Sequence, residues 1–249
     1  MQRDVILECP AVVAGTEGPP VVLVAGPPAS AALFREVQRR LAPRRSIAVD
    51  LLGGEAVALS RTLSSVLKEV GARTLVAHGL ALPVALAVEP ERLDHLVMLN
   101  GPLSRLDPIL RGVRRMPSRL LTSLLLQPAV AGRLLASSAG LRRTVTNPYA
   151  MHRDIVVMLA EPWTTTPEGR ERAAAWLRGV DAWLPARPLT GVHHLAIWGD
   201  ADVLYPSQEA REFVTGAASG DWIPVQRGRH YFVEERPWLV ADALKERGL

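Results

Sequence analysis

The chain has 249 residues, of which 48% are hydrophobic and 22% are charged, which is enough to bury one large core together with an inserted subdomain. Its formal net charge is +4, but the positive residues are almost all arginines and occur in short pairs, so a concentrated basic stripe for nucleic acid is not expected. The single cysteine, Cys9, excludes an internal disulfide and a cysteine-based metal site.

The apolar segments are short throughout the chain. None approaches the ~18 uncharged residues that a membrane span requires. No long apolar region follows the amino terminus, so no secretory signal is expected. We therefore expect a cytoplasmic protein with no membrane and no nucleic-acid partner.

Short apolar runs alternate with helical patterns along most of the chain. Strands that read as continuous apolar runs, separated by helices, predict a mostly parallel sheet that is covered by helices on both faces. Turn residues close several of these runs, including Gly26-Pro27-Pro28, Gly53-Gly54 and His78-Gly79. The predicted strands are residues 21–24, 46–50, 74–77, 93–99, 195–198 and 223–226, and the predicted helices are residues 31–41, 59–70 and 238–247.

A long interruption separates the fourth and fifth predicted strands. It is rich in Leu, Arg and Pro, has helical character and contains no clear strand pattern. We expect it to be a helical cap inserted into the α/β core. The predicted organisation is residues 1–102 and 191–249 for the core and residues 103–190 for the cap.

Six segments resemble the α/β-hydrolase superfamily, specifically its cap-bearing branch, and they occur in the order of that family. They are VLVAGPP (22–28), VDLLGG (49–54), LVAHGLA (75–81), ERLDHLVMLNGP (91–102), IWGDADVLYP (197–206) and GRHYFVEERPWLVADAL (228–244). The resemblance implies an α/β-hydrolase fold with an oxyanion loop in the first segment. It also implies a nucleophile elbow in the third, an acid at Asp202 and a histidine base at His230.

The chain departs from the family pattern at the positions of the nucleophile and of one oxyanion donor. The elbow motif G-x-S-x-G reads Ala-His-Gly-Leu-Ala, so Gly79 stands where the nucleophile is expected and supplies no attacking atom. By the same resemblance, the Leu80 N–H is one oxyanion donor, while the second donor position, after Gly26, falls on Pro27, which has no N–H. The segment from Gly79 to Pro90 is also about one turn shorter than in relatives, which predicts a short helix after the elbow.

The resemblance leaves His230 and Asp202 as the candidate catalytic residues. The carboxylate would orient the imidazole, which could then act as a general base or acid; the opposing interpretation is that both are remnants that hold loops together. Tyr205, Tyr231 and Trp163 could instead pack at the rim of the pocket without contacting a substrate. His78 could instead be a buried structural residue. No metal-ligand spacing and no dinucleotide or phosphate-binding motif occurs, so no metal and no cofactor are expected. The candidate substrate-binding residues are Gly79, Leu80, Gly26, Pro27, His78, His152 in the cap, Trp163 on a cap loop, Tyr205 and Tyr231.

The function expected from these features is non-hydrolytic acid–base chemistry without a cofactor. By resemblance, elimination, cyclisation or another lyase-type step fits best, as for superfamily members of secondary metabolism. A mostly apolar small molecule is the expected substrate, because part of the leucine-rich run at residues 120–126 of the cap must face the cavity. A water-activating hydrolase is a variant of the same idea. The rival hypothesis is a catalytically inactive pseudoenzyme that binds a ligand or partner. The sequence carries no signal for the oligomeric state.

Overall fold

The computed structural model describes residues 1–51 and 56–249, and the predicted Gly53-Gly54 turn lies outside these residues. Within them, eight strands form one sheet in the order β1-β2-β4-β3-β5-β6-β7-β8. The six strands β4-β3-β5-β6-β7-β8 pair in parallel, whereas β1 pairs antiparallel with β2, and β2 pairs antiparallel with β4. The strands are β1 (Gln2–Ile6), β2 (Cys9–Ala14), β3 (Glu17–Ala25), β4 (Arg44–Val49), β5 (Thr74–His78), β6 (His95–Leu99), β7 (His193–Gly199) and β8 (Gly220–Val225).

Side chains on both faces of the central strands are buried, which explains why these strands read as continuous apolar runs. In β3, Val22 and Val24 belong to one apolar cluster, while Val21 and Leu23 belong to another on the opposite face. Helices cover both faces, as the sequence predicts for a parallel sheet. The predicted mostly parallel α/β architecture is thus confirmed.

The helices agree with the predicted ones where both exist, with shifted ends. The predicted helix at 31–41 is a 3-10 turn, Ala31–Phe34, followed by α1. Within the described residues, no helix is long and apolar enough to cross a membrane. The helices are α1 (Arg35–Leu41), α2 (Ala56–Val70), α3 (Ala81–Ala85), α4 (Pro108–Arg114), α5 (Ser118–Leu120), α6 (Pro128–Leu135), α7 (Arg153–Thr164), α8 (Pro167–Gly179), α9 (Ser207–Thr215), α10 (Phe232–Glu235) and α11 (Pro237–Glu246).

The cap segment, by which we mean residues 103–190, lies between β6 and β7 and carries α4 to α8. Its described residues include no strand. It packs on both faces of the core, because Trp176 of α8 belongs to one apolar cluster and Val156 of α7 to the other. Residues of the cap segment line one cavity together with Gly26 and Gly79, which follow the carboxyl ends of β3 and β5.

The helix after the elbow is short, as predicted. α3 has five residues, all of them buried, and Pro83 lies within its first turn, where a missing N–H removes no helical hydrogen bond. Leu80, which precedes this helix, lines a cavity together with residues of the cap segment.

Candidate active site

The turn from β5 into α3 places Gly79 at the carboxyl edge of the sheet. Its backbone has φ +60°, the left-handed region that glycine adopts without strain. The Gly79 N–H donates to the carbonyl oxygens of Leu99 (3.2 Å) and Asn100 (2.9 Å), which ties the elbow to the end of β6. A Cβ at Gly101 would lie 2.5 Å from the Gly79 oxygen, so glycine is required there for the two turns to approach so closely.

Position 79 has room for a side chain although it carries none. A Cβ built on Gly79 would meet one atom within 4 Å, Nε2 of His230 at 3.6 Å. By contrast, a Cβ on Gly26 would lie 2.3 Å from the Trp176 ring. The neighbouring loop is thus packed tightly, whereas the elbow tip opens toward the imidazole.

His230 and Asp202 form a buried pair beside the elbow. The Nδ1 atom of His230 lies 3.1 Å from Oδ2 of Asp202, and both side chains are almost inaccessible. A proton on Nδ1 that donates to this carboxylate leaves the lone pair of a neutral imidazole on Nε2. No described residue hydrogen-bonds to Nε2, which points toward position 79. The arrangement can therefore accept a proton from a molecule bound at the elbow tip.

The Asp202 carboxylate is held by three donors. Oδ2 also accepts from Nδ2 of Asn100 at 2.5 Å, and Oδ1 accepts from the Leu204 N–H at 2.8 Å. Burial works to raise the pKa of Asp202, but the charge of His230 and the hydrogen bonds outweigh burial and lower it. Asp202 therefore remains ionised and can accept the hydrogen bond from Nδ1–H of His230.

Sequence reasoning missed Asn100, which orients the acid. Its Nδ2 donates to Asp202, and its Oδ1 accepts from the Gly199 N–H at 3.0 Å. Asn100 follows directly after the buried strand β6, and a polar residue at the carboxyl end of a parallel strand is a signal that could have identified it.

A cavity of 150 Å³ lies over the elbow and the imidazole. Most of its lining is apolar, and the cap segment contributes about half of it. Gly79, Leu80, His230 and the two tyrosines contribute from the core. The lining residues are Gly26, Pro27, Pro28, Gly79, Leu80, Asp107, Ile109, Leu110, Leu135, Ala139, Gly140, Leu141, Arg143, Thr144, Leu204, Tyr205, His230 and Tyr231.

Backbone donors for a developing oxyanion are reduced at this cavity. The Leu80 N–H has no hydrogen-bond partner among the described residues, so it is available to a ligand. Pro27 lines the cavity and has no N–H to donate, while the Gly26 N–H is turned to the His78 carbonyl oxygen at 3.4 Å. One donor is present where acyl transfer ordinarily uses two.

Tyr205 and Tyr231 are buried against His230 and line the cavity. Their ring centroids lie 5.5 Å and 4.9 Å from that of the imidazole. Burial, reinforced by the charge of nearby carboxylates, raises the pKa of both phenols, so both hydroxyls stay protonated at neutral pH.

His78 does not line the cavity, contrary to the substrate-binding role predicted for it. It is fully buried, and its Nε2 lies 3.0 Å from the His230 carbonyl oxygen, to which it donates in the matching tautomer. Burial lowers the pKa of His78 to about 3, so it is neutral. His78 thus supports the backbone of His230, which corresponds to the packed structural role given above as the alternative.

His152 and Trp163 also lie away from the cavity, which corrects two predicted positions. The His152 side chain is 69% exposed and lies beside Asp154, because the turn before α7 directs it to solvent. Trp163 lies within α7, not on a loop. Its ring is buried on Trp176, and its Nε1–H donates to the Ala29 carbonyl oxygen at 2.6 Å.

Comparisons with solved structures place this chain among proteins of one fold. An α/β-hydrolase fold protein from Burkholderia ambifaria is 22% identical, with 98% of this chain and 96% of that chain covered and a TM-score of 0.77. A thermophilic esterase from Thermogutta terrifontis, solved with malate bound, is 18% identical, with 99% and 97% covered and a TM-score of 0.73. The epoxide hydrolase CorEH is 18% identical, with 98% and 96% covered and a TM-score of 0.73. No protein-family model and no curated protein matches the sequence. The chain has the α/β-hydrolase fold.

Proposed function

We propose that this chain is an enzyme in which His230, oriented by Asp202, moves a proton on a small, mostly apolar molecule held at the elbow tip, without a covalent intermediate. The observation that carries the proposal is the position of Nε2, 3.6 Å from where a Cβ at position 79 would stand. In this fold the imidazole thus points at the place of the nucleophile, and that place is open. A bound molecule can occupy it directly.

The reaction class that uses these parts is elimination or a related lyase or cyclase step. Nε2 would remove a proton from carbon or oxygen, the electron pair would form a new π bond or ring bond, and the leaving group would depart with its electrons. The Leu80 N–H could stabilise one oxygen that gains charge. The imidazolium, stabilised by Asp202, could then return its proton to the leaving group.

A water-activating hydrolase is the second candidate, and two observations favour it. The space over Gly79 is large enough for an ordered water between Nε2 and a bound ester or epoxide. Structures similar to this chain include an esterase and an epoxide hydrolase. In this version His230 removes the proton from water, and the oxygen of water attacks the substrate.

The elimination proposal is tested with 1,2-benzisoxazole, a small apolar molecule that opens to 2-hydroxybenzonitrile when a base removes its C3 proton. We expect saturable, enzyme-dependent opening that His230→Gln lowers by about 10²–10⁴-fold, the usual contribution of a general base. His152→Gln is the matched control, because that histidine is exposed and outside the cavity. Equal rates for wild type and His230→Gln would contradict the proposal and favour a pseudoenzyme.

Hydrolysis is distinguished with p-nitrophenyl acetate. A water-activating enzyme is expected to hydrolyse it without a burst of p-nitrophenol, with the same dependence on His230, and without inactivation by a serine-directed phosphonate. Opening of benzisoxazole without ester hydrolysis supports the elimination class. A burst, or inactivation by the phosphonate, would show a covalent nucleophile and would contradict both versions.

A further inference from the structure

Arg143 is a cation that lines the cavity without a counter-ion. Its side chain is half-buried, and no carboxylate among the described residues lies within ion-pair distance of it. A half-buried charge that faces an apolar cavity loses part of its hydration and is stabilised when an anion pairs with it. Arg143 therefore gives the cavity a preference for negative charge.

The backbone of Arg143 is fixed relative to the proposed base. Nη1 of Arg229 donates to the carbonyl oxygens of Arg143 (3.0 Å) and Val145 (3.3 Å), and the Tyr231 N–H donates to the Thr144 oxygen (3.0 Å). These bonds join residues 143–145 to the two residues that flank His230. A ligand group paired with Arg143 would thus be held at a defined place relative to Nε2.

The part of the cap segment that contributes to the cavity is rich in positive charge. Residues 103–150 contain eight arginines, no lysine and one acidic residue, Asp107, a net charge of +7. The whole chain carries +4, so the remainder is negative. One of these arginines, Arg114, pairs with Asp181. Charge of one sign around a cleft raises the local concentration and the association rate of ligands of the opposite sign.

Asp107 is the acidic group that also lines the cavity, and its surroundings give it a separate role. Its Oδ1 accepts from the Ile109 N–H at 2.8 Å and caps the amino terminus of α4. A cationic ligand would have to use this capping carboxylate and would leave Arg143 unpaired. The charge on the cavity wall and the charge of the cap segment both favour an anion.

We propose that the ligand of this cavity is a small apolar molecule that carries a carboxylate, and that Arg143 binds this carboxylate while the body lies over Gly79 and His230. This inference rests on the proposed function for the place of the reacting atom, and it names the class of substrate. Guanidinium binds carboxylate in a planar, two-point geometry, which would fix the orientation of the substrate before proton transfer.

The test compares benzoate with benzamide, which has nearly the same shape and no charge. Binding to wild type, Arg143→Gln, Arg143→Lys and Arg142→Gln is measured by ligand-observed NMR titration at fixed ionic strength. Arg142 is the matched control, because it is exposed, adjacent and outside the cavity, and its substitution removes the same charge. We expect wild type to prefer benzoate and Arg143→Gln to weaken benzoate binding by about tenfold or more. Arg143→Lys should restore part of the affinity, and Arg142→Gln should change it by less than about twofold.

Two outcomes would overturn the inference. If Arg142→Gln weakens benzoate binding as much as Arg143→Gln does, the cap segment attracts anions, including polyanionic macromolecules, without a defined site. If benzamide binds as well as benzoate, the cavity does not select charge. Because the readout is binding, it does not depend on proton transfer. His230→Gln, which tests the proposed function, can fail or succeed separately.

Discussion

Gly79 combines a left-handed backbone with open space on its side-chain side. Turns with positive φ usually hold glycine because a Cβ is strained there, by about 1–2 kcal/mol. Here the surroundings would still admit a Cβ, since its nearest neighbour would be Nε2 of His230 at 3.6 Å. The backbone geometry of a nucleophile elbow is therefore present without the nucleophile.

Replacing Gly79 by serine should introduce an attacking hydroxyl within reach of His230. We expect the Gly79→Ser variant to react covalently with a fluorophosphonate probe at the introduced hydroxyl, detected as a mass increase on the peptide that contains position 79, whereas wild type stays unlabelled. Ester turnover should remain low, about 10²–10³-fold below what two oxyanion donors would allow, because Pro27 donates no hydrogen bond.

Gly79→Ala separates strain from chemistry in this experiment. It should lower the free energy of unfolding by about 1–2 kcal/mol, as Gly79→Ser does, without any labelling. Labelling of wild type or of Gly79→Ala would show that another residue attacks the probe. That result would contradict the position assigned to the elbow.

The predicted residues that do line the cavity share a property, which is that a local sequence motif determines their position. Gly79, Leu80 and Pro27 are set by strand-to-turn patterns, and each lines the cavity. Arg143 was missed because its place depends on how the cap segment folds over the core, which no local pattern records. His152 was placed wrongly for the same reason. The local sequence of a helical insertion does not determine whether a polar residue faces the cavity or solvent.

At the scale of elements, the strands of the parallel part of the sheet were predictable, and β1 and β2 at its antiparallel edge were not. β5 and β6 are buried on both faces and read as continuous apolar runs. β1 is exposed along most of its length and its sequence, QRDVI, is polar, so it carries neither an apolar run nor a clean alternation. It forms because it pairs with β2 from Gln2–Val13 to Ile6–Cys9, and such pairing is not visible in a single segment. α9 was missed as well, in a stretch with weak apolar character.

Side-chain hydrogen bonds join residues 143–147 of the cap segment to the residues around His230. Arg229 donates two from one guanidinium to residues 143 and 145, and the Glu235 carboxylate accepts from the N–H groups of Thr146 (2.9 Å) and Asn147 (2.5 Å). Arg143 and Thr144, which line the cavity, thus lie in a segment that is held to the core close to His230.

Arg229→Gln should loosen residues 143–147 without unfolding the sheet. Loss of hydrogen bonds from a charged donor costs about 1.5–3 kcal/mol, so amide hydrogen exchange in this segment should become about tenfold faster or more. Exchange in β5 and β6 should stay unchanged. Arg142→Gln is the control on the same segment. Equal exchange in wild type and Arg229→Gln would show that packing alone positions the segment.

At the scale of the whole molecule, two buried groups make opposite contributions to stability in acid. Burial lowers the pKa of His78 to about 3, whereas the unfolded chain titrates near 6.5. As the pH falls below about 6.5, His78 binds a proton in the unfolded state but not in the folded state, and the free energy of unfolding decreases. Burial raises the pKa of Asp50 to about 6, so between about 6 and 4 the folded state binds a proton that the unfolded state lacks, and stability increases.

Asp50→Asn should therefore make the protein more stable at neutral pH and more sensitive to acid. Asparagine can still accept the hydrogen bond that the Ala31 N–H donates to Asp50 Oδ1 at 2.7 Å, and it carries no charge to bury. At pH 7.5 we expect a gain of about 2–3 kcal/mol in the free energy of unfolding, measured in urea by tryptophan fluorescence. From pH 6 to 4.5 this gain should shrink by about 1.4 kcal/mol per pH unit. In this range Asp50 of the folded wild type becomes protonated, which removes the cost of burying its charge, whereas the variant has no such charge at any pH. The exposed Asp154→Asn is the control, and a variant curve parallel to that of wild type would show that Asp50 is ionised in the folded protein without penalty.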